Sequence, residues 1–496
     1  MKLSKYIVGF VNIFFVLLFL VIFKLSINIR SVNLMNLALF TIGIFFIYHI
    51  IKKMPDKFYD AILTILFIAI ILLQLTYVFL YASIPSFDLG EIYNSIDESI
   101  IYGKNLCEYE YFNRFTNNGL LGLILKLIFS VMNLFNNSNY YIGGIIFNLV
   151  IIDMSIFFMY KFVKETLGKS SGILVVFLSL LTIPLHIYSS YFYTDTISMI
   201  FPLIMLLIYL KYCRKDLNKS KKYLYALLMG IVAGFGFMFK TIVLLTAISI
   251  ILFDIFVKNI KNIKYIGIMI ISIIVTIFAI YQLLYLSKVL DKKSVYDNSF
   301  PYSYWRLIGL NYQGSFNNIE DYNEVKKIIG KNEKKEYILN KIKYKIEYDV
   351  NNKILHKIIG YNIKNTWGDP TYYAYVKLSG KSINNDQKIK FYIKSGVKKN
   401  VDEVMKLKHI FMLTFMIISG FNLKDKDGLI TISKIVIIGL ALFLILFESR
   451  SRYLVSYIPL LLILEVHGIN IIYNLMCFYG SILNKNINSK LKKYKR

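Results

Sequence analysis

Apolar blocks of about 17 to 25 residues recur along most of this chain, and they restrict its fold more than any other feature. A helix of roughly 20 apolar residues crosses the ~30 Å hydrocarbon core of a bilayer with its backbone groups hydrogen-bonded internally. Hydrophobic residues make up 56% of the 496 positions and charged residues only 18%, which excludes an ordinary water-soluble protein. The sequence therefore predicts an all-α polytopic membrane protein.

The positions of these blocks predict about twelve transmembrane helices. They cover residues 6–23, 34–51, 59–82, 141–160, 172–189, 196–211, 223–239, 241–257, 265–286, 409–422, 429–447 and 453–473. A thirteenth apolar run, 119–135, has Lys126 in its middle and asparagine pairs at both ends, so we expect an amphipathic helix at the membrane interface. The first run lacks a small-residue cleavage site, which predicts an uncleaved membrane helix rather than a signal peptide.

The distribution of charge predicts the orientation. The net charge is +28, but Lys and Arg form short clusters between alternate apolar blocks, as the positive-inside rule expects, so nucleic acid is not an expected partner. We expect a multi-pass protein of the cell membrane with two large extracytoplasmic loops, 83–140 and 287–408. Apolar residues at helical spacing in "YILNKIKYKIEY" predict that the second loop is a mostly helical cap. The chain then divides into a membrane module 1–286, the cap, and a membrane module 409–496 with a basic cytoplasmic tail.

Three carboxylates lie close to the predicted outer edge of the membrane. Asp88 and Glu91 follow the third span in "FDLGE", and a helical spacing of three would point both to one side. Asp195 lies in "YFYTDTISM", between two apolar runs. Solvated loop acids and a helix cap at Asp195 are the structural alternatives. A charge beside hydrocarbon needs a compensating reason, which makes all three candidates for a site.

Three cations are predicted at the same face. Lys240 lies at the tip of the hairpin "GFMFKTIVLL", and Arg450 and Arg452 lie in "ESRSRYLVSYIPLL". Two arginines beside hydrocarbon on the outer side oppose the positive-inside tendency, and the planar guanidinium suits phosphate. Snorkelling to lipid head groups is the alternative explanation.

Other polar residues are expected to be structural. His186 is predicted to be a packed histidine, and Asn148 and Asp153 are predicted to hydrogen-bond between helices. Asp369 in "NTWGDPTYY" is predicted to form an ordinary turn. The three cysteines are far apart and show no metal-ligand spacing, so neither a disulfide framework nor a zinc site is expected. Whether Glu91 and Asp195 hold a divalent metal is left open.

Carboxylates and cations on one face of a helical bundle point to a group transfer. A carboxylate can deprotonate an acceptor hydroxyl while cations stabilise a departing phosphate. Outside the cell the donor would be a sugar on a membrane-embedded polyprenyl phosphate. The sequence contains no Walker motif, G-x-G-x-x-G or H-E-x-x-H that would favour another chemistry.

With these motifs in this order, the chain resembles the GT-C superfamily of integral-membrane glycosyltransferases, in particular bacterial members of the mannosyltransferase-like group. "FDLGE" stands at the place of the acidic motif of that family, and the resemblance implies that Asp88 is the catalytic base and Glu91 a supporting residue. "YEYFNRFTNNGLLGLILKLIF" resembles the loop helix that follows the acidic motif. "YFYTDTISM" resembles the second acidic loop, which implies that Asp195 lies in the site.

Two further motifs resemble the donor side of the same proteins. "GFMFKTIVLL" and "ESRSRYLVSYIPLL" imply that Lys240, Arg450 and Arg452 bind the donor phosphate. "SYWRLIGLNYQGSFNNIED" is similar to an outer-loop segment in which a histidine is common, and Tyr304 stands near that place here.

The expectation is therefore a hexosyltransferase that moves a sugar from a polyprenyl-phosphate donor to a glycan or lipid of the cell envelope. The site would face the extracytoplasmic side. Two alternatives stay open at this point. A polymerase or ligase of envelope polysaccharides would consume a diphosphate-linked oligosaccharide, and a flippase or transporter of lipid-linked sugars would change no covalent bond.

Overall fold

The structure, a computed structural model, describes residues 2–28, 32–214, 217–258, 263–311, 319–383, 397–422 and 428–494. In these ranges the regular structure is helical, and the β-pairing is limited to an isolated antiparallel bridge between Ser83 and Ser382. The prediction of an all-α polytopic membrane protein is confirmed.

The α-helices follow one another along the whole chain. They are α1 Lys2–Ser26, α2 Leu34–Lys53, α3 Tyr59–Tyr81, α4 Phe87–Tyr102, α5 Glu110–Arg114, α6 Gly119–Leu134, α7 Tyr140–Leu167, α8 Lys169–Leu180, α9 Ile183–Ile187, α10 Thr194–Ile197, α11 Ile200–Tyr212, α12 Lys219–Phe239, α13 Leu244–Phe253, α14 Ile263–Leu286, α15 Lys292–Asn298, α16 Ser303–Gly309, α17 Ile319–Lys327, α18 Lys331–Asn351, α19 Leu355–Trp367, α20 Ala374–Lys377, α21 Val397–Ile418, α22 Leu429–Leu446 and α23 Ile458–Tyr494. Short 3₁₀ segments include Asp56–Phe58, Leu106–Glu108, Thr116–Asn118, Tyr188–Ser190, Thr241–Val243, Ser419–Phe421 and Ser451–Tyr457, and Asp254–Lys258 is a π-helix.

Eleven helices in the described ranges are long and apolar enough to cross a membrane, or twelve if a bent pair counts as one span. Thr116–Leu134, which contains α6, is among the eleven by length and composition. However, Asn118 at its start bonds Tyr193, and Asn133 near its end bonds Tyr140 at the start of α7. Because both ends of α6 are attached at the same end of the bundle, the geometry supports the predicted interfacial helix.

The segment after α12 is shorter than the candidate spans but crosses the bundle. Thr241–Val257 is an apolar helical segment of 17 residues, shorter than the eleven candidate spans. It starts beside Lys240, and Asp254 near its far end accepts a hydrogen bond from Tyr209, which lies in the second half of α11. The segment thus runs from one end of the bundle to the other, as predicted for residues 241–257. With this segment and the bent pair included and α6 left out, the bundle has the twelve spans that the sequence predicts.

Residues 172–189, which the sequence predicts as one span, are divided by a sharp bend. The segment consists of Lys169–Leu180 and Ile183–Ser190, which meet at an angle of 65°. Pro184 lies in the first turn of the second part, where its missing N–H is tolerated. The break brings residues 188–190 to the same end of the bundle as Asp195.

The helix that contains the predicted tenth span starts earlier than residue 409, because α21 begins at Val397. The charged residues between 397 and 408 conceal the helix in the sequence. Lys408 is nevertheless buried, because its ammonium donates to both oxygens of Glu465 on α23, at 2.8 and 2.7 Å. A charge is tolerated at this depth only with such a partner.

One apolar core joins the two ends of the chain. One side of helix α1 packs against α19, α21, α22 and the π-helix Asp254–Lys258, so the first span contacts elements from the last third of the sequence. The cap has a small separate cluster around Leu307, Val325 and Ile338, whereas Trp367 and Tyr372 belong to the main core. Gly309 lets the cap approach the bundle, since a Cβ atom there would lie 2.6 Å from the backbone of Phe447.

Candidate functional site

The candidate site forms where four chain segments emerge at one end of the bundle. Asp88 lies in the first turn of α4, just after α3 leaves the bundle. Asp195 lies in the short helix α10, and Lys240 is the residue that ends α12. Arg452 belongs to the 3₁₀ segment between α22 and α23. These four residues, which the sequence predicts for the site, are brought together by the fold.

Asp195 and Lys240 form a buried ion pair between two of these segments. Asp195 is only 1% exposed, and its Oδ1 accepts a hydrogen bond from the Lys240 ammonium. The backbone carbonyl of Asp195 accepts from Ser456 Oγ at 3.0 Å, which attaches it to the segment that carries Arg452. Its Oδ2 is buried and forms no hydrogen bond in the described structure. Asp195 thus fixes Lys240 and the arginine segment relative to each other.

Tyr453 connects this pair to the arginine. The Lys240 ammonium lies 4.7 Å from the centre of the Tyr453 ring, and the Arg452 guanidinium lies 5.0 Å from it. Arg452 Nη2 donates to the Tyr453 hydroxyl at 3.3 Å, and that hydroxyl donates to Glu448. One aromatic ring therefore holds two cations close together, through attraction of each cation to the electron-rich face.

Asp88 faces two cations without being locked to either. Its Oδ2 lies 3.6 Å from Arg452 Nη1 and 3.9 Å from Lys377 Nζ, and both distances exceed a hydrogen bond. The Asp88 side chain is 35% exposed, whereas those of Arg452 and Lys377 are largely buried. Asp88 is therefore a carboxylate that an entering hydroxyl group can reach.

The arginine has unused hydrogen-bonding capacity. Nε and Nη1 of Arg452 are buried and have no hydrogen-bond partner among the described residues. Lys240, Lys377, Arg450 and Arg452 give four positive charges, and Asp88, Asp195, Glu448 and Asp369 give four carboxylates. A buried guanidinium with free N–H groups is suited to an anion.

Lys377 was not predicted, although it lies at the centre of the cluster. Burial and the neighbouring Arg452 guanidinium lower the pKa of Lys377 to about 8, while the charges of Asp88, Asp195 and Glu448 act in the opposite direction. Lys377 belongs to α20, within a lysine-rich loop in which the sequence gives no reason to single out one lysine as a site residue. The only hint in the sequence is its aromatic and apolar context, "TYYAYVKL".

Glu91 and Arg450 lie at the edge of the cluster. Glu91 is exposed and forms no hydrogen bond or ion pair within the described ranges. Arg450 donates to the Tyr373 hydroxyl, stacks 4.8 Å from the centre of that ring, and lies 3.5 Å from Glu448. The structure therefore gives Arg450 protein partners, whereas Arg452 keeps free donors.

Aromatic side chains line the cluster beside Asp88. The Lys377 ammonium lies 4.9 Å from the Phe87 ring centre and 5.8 Å from that of Tyr191. Tyr191 is buried, and Phe87 is 54% exposed with a φ of +54°, a conformation that bulky residues rarely adopt. Tyr193 donates to Asn118 at the start of α6. Flat aromatic faces beside polar groups are suited to sugars or to an isoprenoid chain.

The residues of the cluster do not fit a divalent metal. Asp195 already pairs with an ammonium, and Asp88 faces two cations. No group of three or more His, Cys, Asp or Glu side chains within the described part of the chain could hold a metal ion.

The structural predictions for the remaining polar residues are confirmed. His186 is buried, and its Nε2 lies 3.0 Å from the carbonyl of Ser179. Asn148 donates to the carbonyls of residues 188 and 189, and Asp153 accepts from Gln74 on α3. Tyr304 is buried in the small cluster of the cap. Part of the motif that follows Tyr304, residues 312–318, lies outside the described residues.

Comparison with known proteins gives a family. Neither the curated proteins nor the solved structures contain a match to this chain. A family model described as a conserved hypothetical integral membrane protein matches residues 9–470, which include the membrane helices from α1 to α22 and the whole candidate site. The chain therefore belongs to this family of conserved hypothetical integral membrane proteins.

Proposed function

We propose that this protein is a glycosyltransferase that moves a sugar from a polyprenyl-phosphate donor to a glycan or lipid acceptor on the extracytoplasmic face. The proposal rests above all on one observation. A partly exposed carboxylate, Asp88, lies beside a buried arginine whose Nε and Nη1 have no hydrogen-bond partner among the described residues. Such a pair offers a proton acceptor and an anion site next to each other.

The transfer is a single displacement. The acceptor hydroxyl oxygen attacks the anomeric carbon of the donor sugar, and its proton passes to the Asp88 carboxylate. The bond from that carbon to the phosphate oxygen breaks, and the electron pair leaves with the polyprenyl phosphate. Attack from the side opposite the phosphate inverts the configuration at the anomeric carbon. Asp88 suits the role of base because no hydrogen bond from Arg452 or Lys377 occupies its Oδ2.

The cations bind the phosphate and stabilise its additional charge as it departs. Arg452 contributes two free donor nitrogens, and Lys377 contributes an ammonium 3.9 Å from Asp88 Oδ2. Lys240 adds a further positive charge on the Tyr453 ring, which also contacts Arg452. Fixed positive groups in a site with little water stabilise such charge more strongly than the same groups in solution. Asp195 positions Lys240 rather than reacting, because it is buried and already paired.

The first prediction is that Asp88→Asn abolishes transfer. An amide cannot accept the hydroxyl proton, so we expect the rate to fall by about 10²–10⁴-fold. The assay uses membranes from cells that lack the chain, supplemented with polyprenyl-phosphate sugars, and follows radiolabelled sugar into the envelope fraction. Size-exclusion chromatography in detergent checks that the variant is folded.

Glu91→Gln is the matched control, because Glu91 lies one helical turn away and is exposed. We expect it to change the rate less than threefold, since it contacts no cation of the site. Full activity of Asp88→Asn would remove the base from the mechanism. If the donor that is consumed proves to be a diphosphate-linked oligosaccharide, the protein is a polymerase or ligase instead.

A further inference from the structure

A tight turn at residues 369–373 is closed by the carboxylate of its first residue. Asp369 Oδ1 accepts from the Thr371 backbone N–H at 2.9 Å and from Thr371 Oγ1 at 2.7 Å. Asp369 Oδ2 accepts from the Tyr373 backbone N–H at 2.7 Å. The turn follows α19, and its geometry depends on both oxygens of one side chain.

The same carboxylate is bonded to the arginine segment. Ser451, between Arg450 and Arg452, donates from Oγ to Asp369 Oδ2 at 2.7 Å. Arg450 makes a second contact by donating to the Tyr373 hydroxyl. The turn therefore holds the start of the segment that aims Arg452 into the cluster.

The turn also determines where Lys377 lies. Helix α20 starts directly after the turn and is a single turn long, and the Lys377 backbone N–H donates to the Tyr373 carbonyl at 3.2 Å. Tyr188 donates to the Tyr372 carbonyl at 2.7 Å, which links the turn to the chain that leads to Asp195. The direction of the chain at Tyr373 therefore sets the position of the Lys377 ammonium.

The backbone conformation of the turn needs support from its surroundings. Tyr372 and Tyr373 have φ values of +51° and +65°, so two successive bulky residues occupy the left-handed region. Residues persist in such conformations only where neighbouring contacts enforce them. Here the Asp369 carboxylate and the Tyr188 hydroxyl provide those contacts.

We propose that Asp369 is a positioning residue that places Lys377 and Arg452 together at the anion-binding end of the site. This inference depends on the proposed function in one respect, namely that the bound anion is the phosphate of a lipid-linked donor. Without the Asp369 carboxylate, the turn relaxes towards ordinary backbone conformations. Lys377 then leaves its buried position, and the arginine segment loses an anchor.

The test compares Asp369→Asn with the unaltered full-length chain in lipid nanodiscs. The first measurement is the pH profile of Lys377 labelling by acetic anhydride, read by peptide mass spectrometry with exposed Lys104 as the internal reference. The midpoint is expected near 8 in the unaltered chain and is expected to rise towards about 10.4, the value of a solvated lysine, in the variant. The second measurement is binding of farnesyl phosphate, which we expect to weaken about tenfold or more.

Asp349→Asn in α18 is the matched control, because Asp349 is buried in the cap and touches neither Lys377 nor the arginine segment. We expect it to leave both measurements unchanged. A folded Asp369→Asn protein with a midpoint near 8 and unaltered affinity overturns the inference. If the unaltered chain binds no farnesyl phosphate, the proposed function fails, and the labelling profile alone decides the role of Asp369.

Should Asp369→Asn fail to fold, Ser451→Ala decides. This change removes the hydrogen bond between Ser451 and Asp369 and leaves the contact of Arg450 with Tyr373 in place. We expect about tenfold weaker farnesyl phosphate binding with a Lys377 midpoint that stays near 8, because Asp369 still closes the turn. Unchanged affinity in this variant overturns the inference.

Discussion

At the scale of single residues, Lys377 has the property that is easiest to measure. Its ammonium is removed from water and faces Arg452, so the pKa of Lys377 falls to about 8. Asp88, Asp195 and Glu448 keep it from falling further. Lys377 therefore changes its charge within the pH range in which a membrane protein can be assayed.

This pKa predicts a pH-dependent affinity for phosphate. Below about pH 8 Lys377 is positively charged and would attract a phosphate in the proposed site, and above that pH the attraction is lost. We expect the dissociation constant for farnesyl phosphate to rise between pH 7 and pH 9.5. An alkyl phosphate stays a dianion over this range, since its second pKa is about 6. Calorimetry in nanodiscs at a series of pH values measures the effect.

Lys377→Arg is the control for this prediction. Because arginine stays charged up to about pH 12 or beyond, the affinity of the variant should vary little between pH 7 and pH 9.5. An equally steep pH dependence in Lys377→Arg would show that another group is responsible.

At the scale of helices, close packing of α7 positions the segment that carries Asp195. Gly144 of α7 lies against Phe192, and a Cβ atom at Gly144 would lie 2.6 Å from the Phe192 ring. Phe192 is fully buried and precedes Asp195 by less than one helical turn. The backbone of α7 and the ring of Phe192 therefore have no room for an additional methyl group.

We predict that Gly144→Ala destabilises the protein by about 1–3 kcal/mol and displaces the Asp195 segment. Thermal unfolding in detergent and the transfer assay measure the two effects. Gly43→Ala in α2 is the matched control, because no atom lies within 4 Å of the added Cβ there. The alanine at 43 should be neutral or stabilising. Equal behaviour of the two variants would contradict the assigned packing.

Elements of the site differ in how far the sequence predicts them. Arg452 is recognisable in the sequence because arginine is rare beside hydrocarbon on the predicted outer side of the membrane. Asp88 and Asp195 are recognisable because a carboxylate beside hydrocarbon is costly. Lys377 is not recognisable, since it is one of many lysines in a long loop.

Two features of the fold are also hidden in the sequence. The bend between α8 and α9 escapes prediction because the apolar run is continuous. The start of α21 escapes it because Glu465, which neutralises Lys408, lies far away in the sequence.

At the scale of the whole molecule, the charge distribution predicts on which side of the membrane the site opens. We expect Glu91→Cys, in a chain whose three cysteines are replaced by serine, to react with a membrane-impermeant maleimide on intact cells. Lys57→Cys, exposed at the opposite end of α3, should react only after permeabilisation. The reverse pattern would put the site in the cytoplasm, where nucleotide sugars are available, and would remove the argument for a lipid-linked donor.

The packing of α1 has a consequence for biosynthesis. This helix is synthesised long before α19, α21 and α22, which pack against one side of it. At about 5–20 residues per second, roughly 20–80 seconds of translation separate the synthesis of α1 from that of α22. Until then, the side of α1 that packs against these helices lacks its final partners, and premature termination would leave a product that quality-control proteases can recognise.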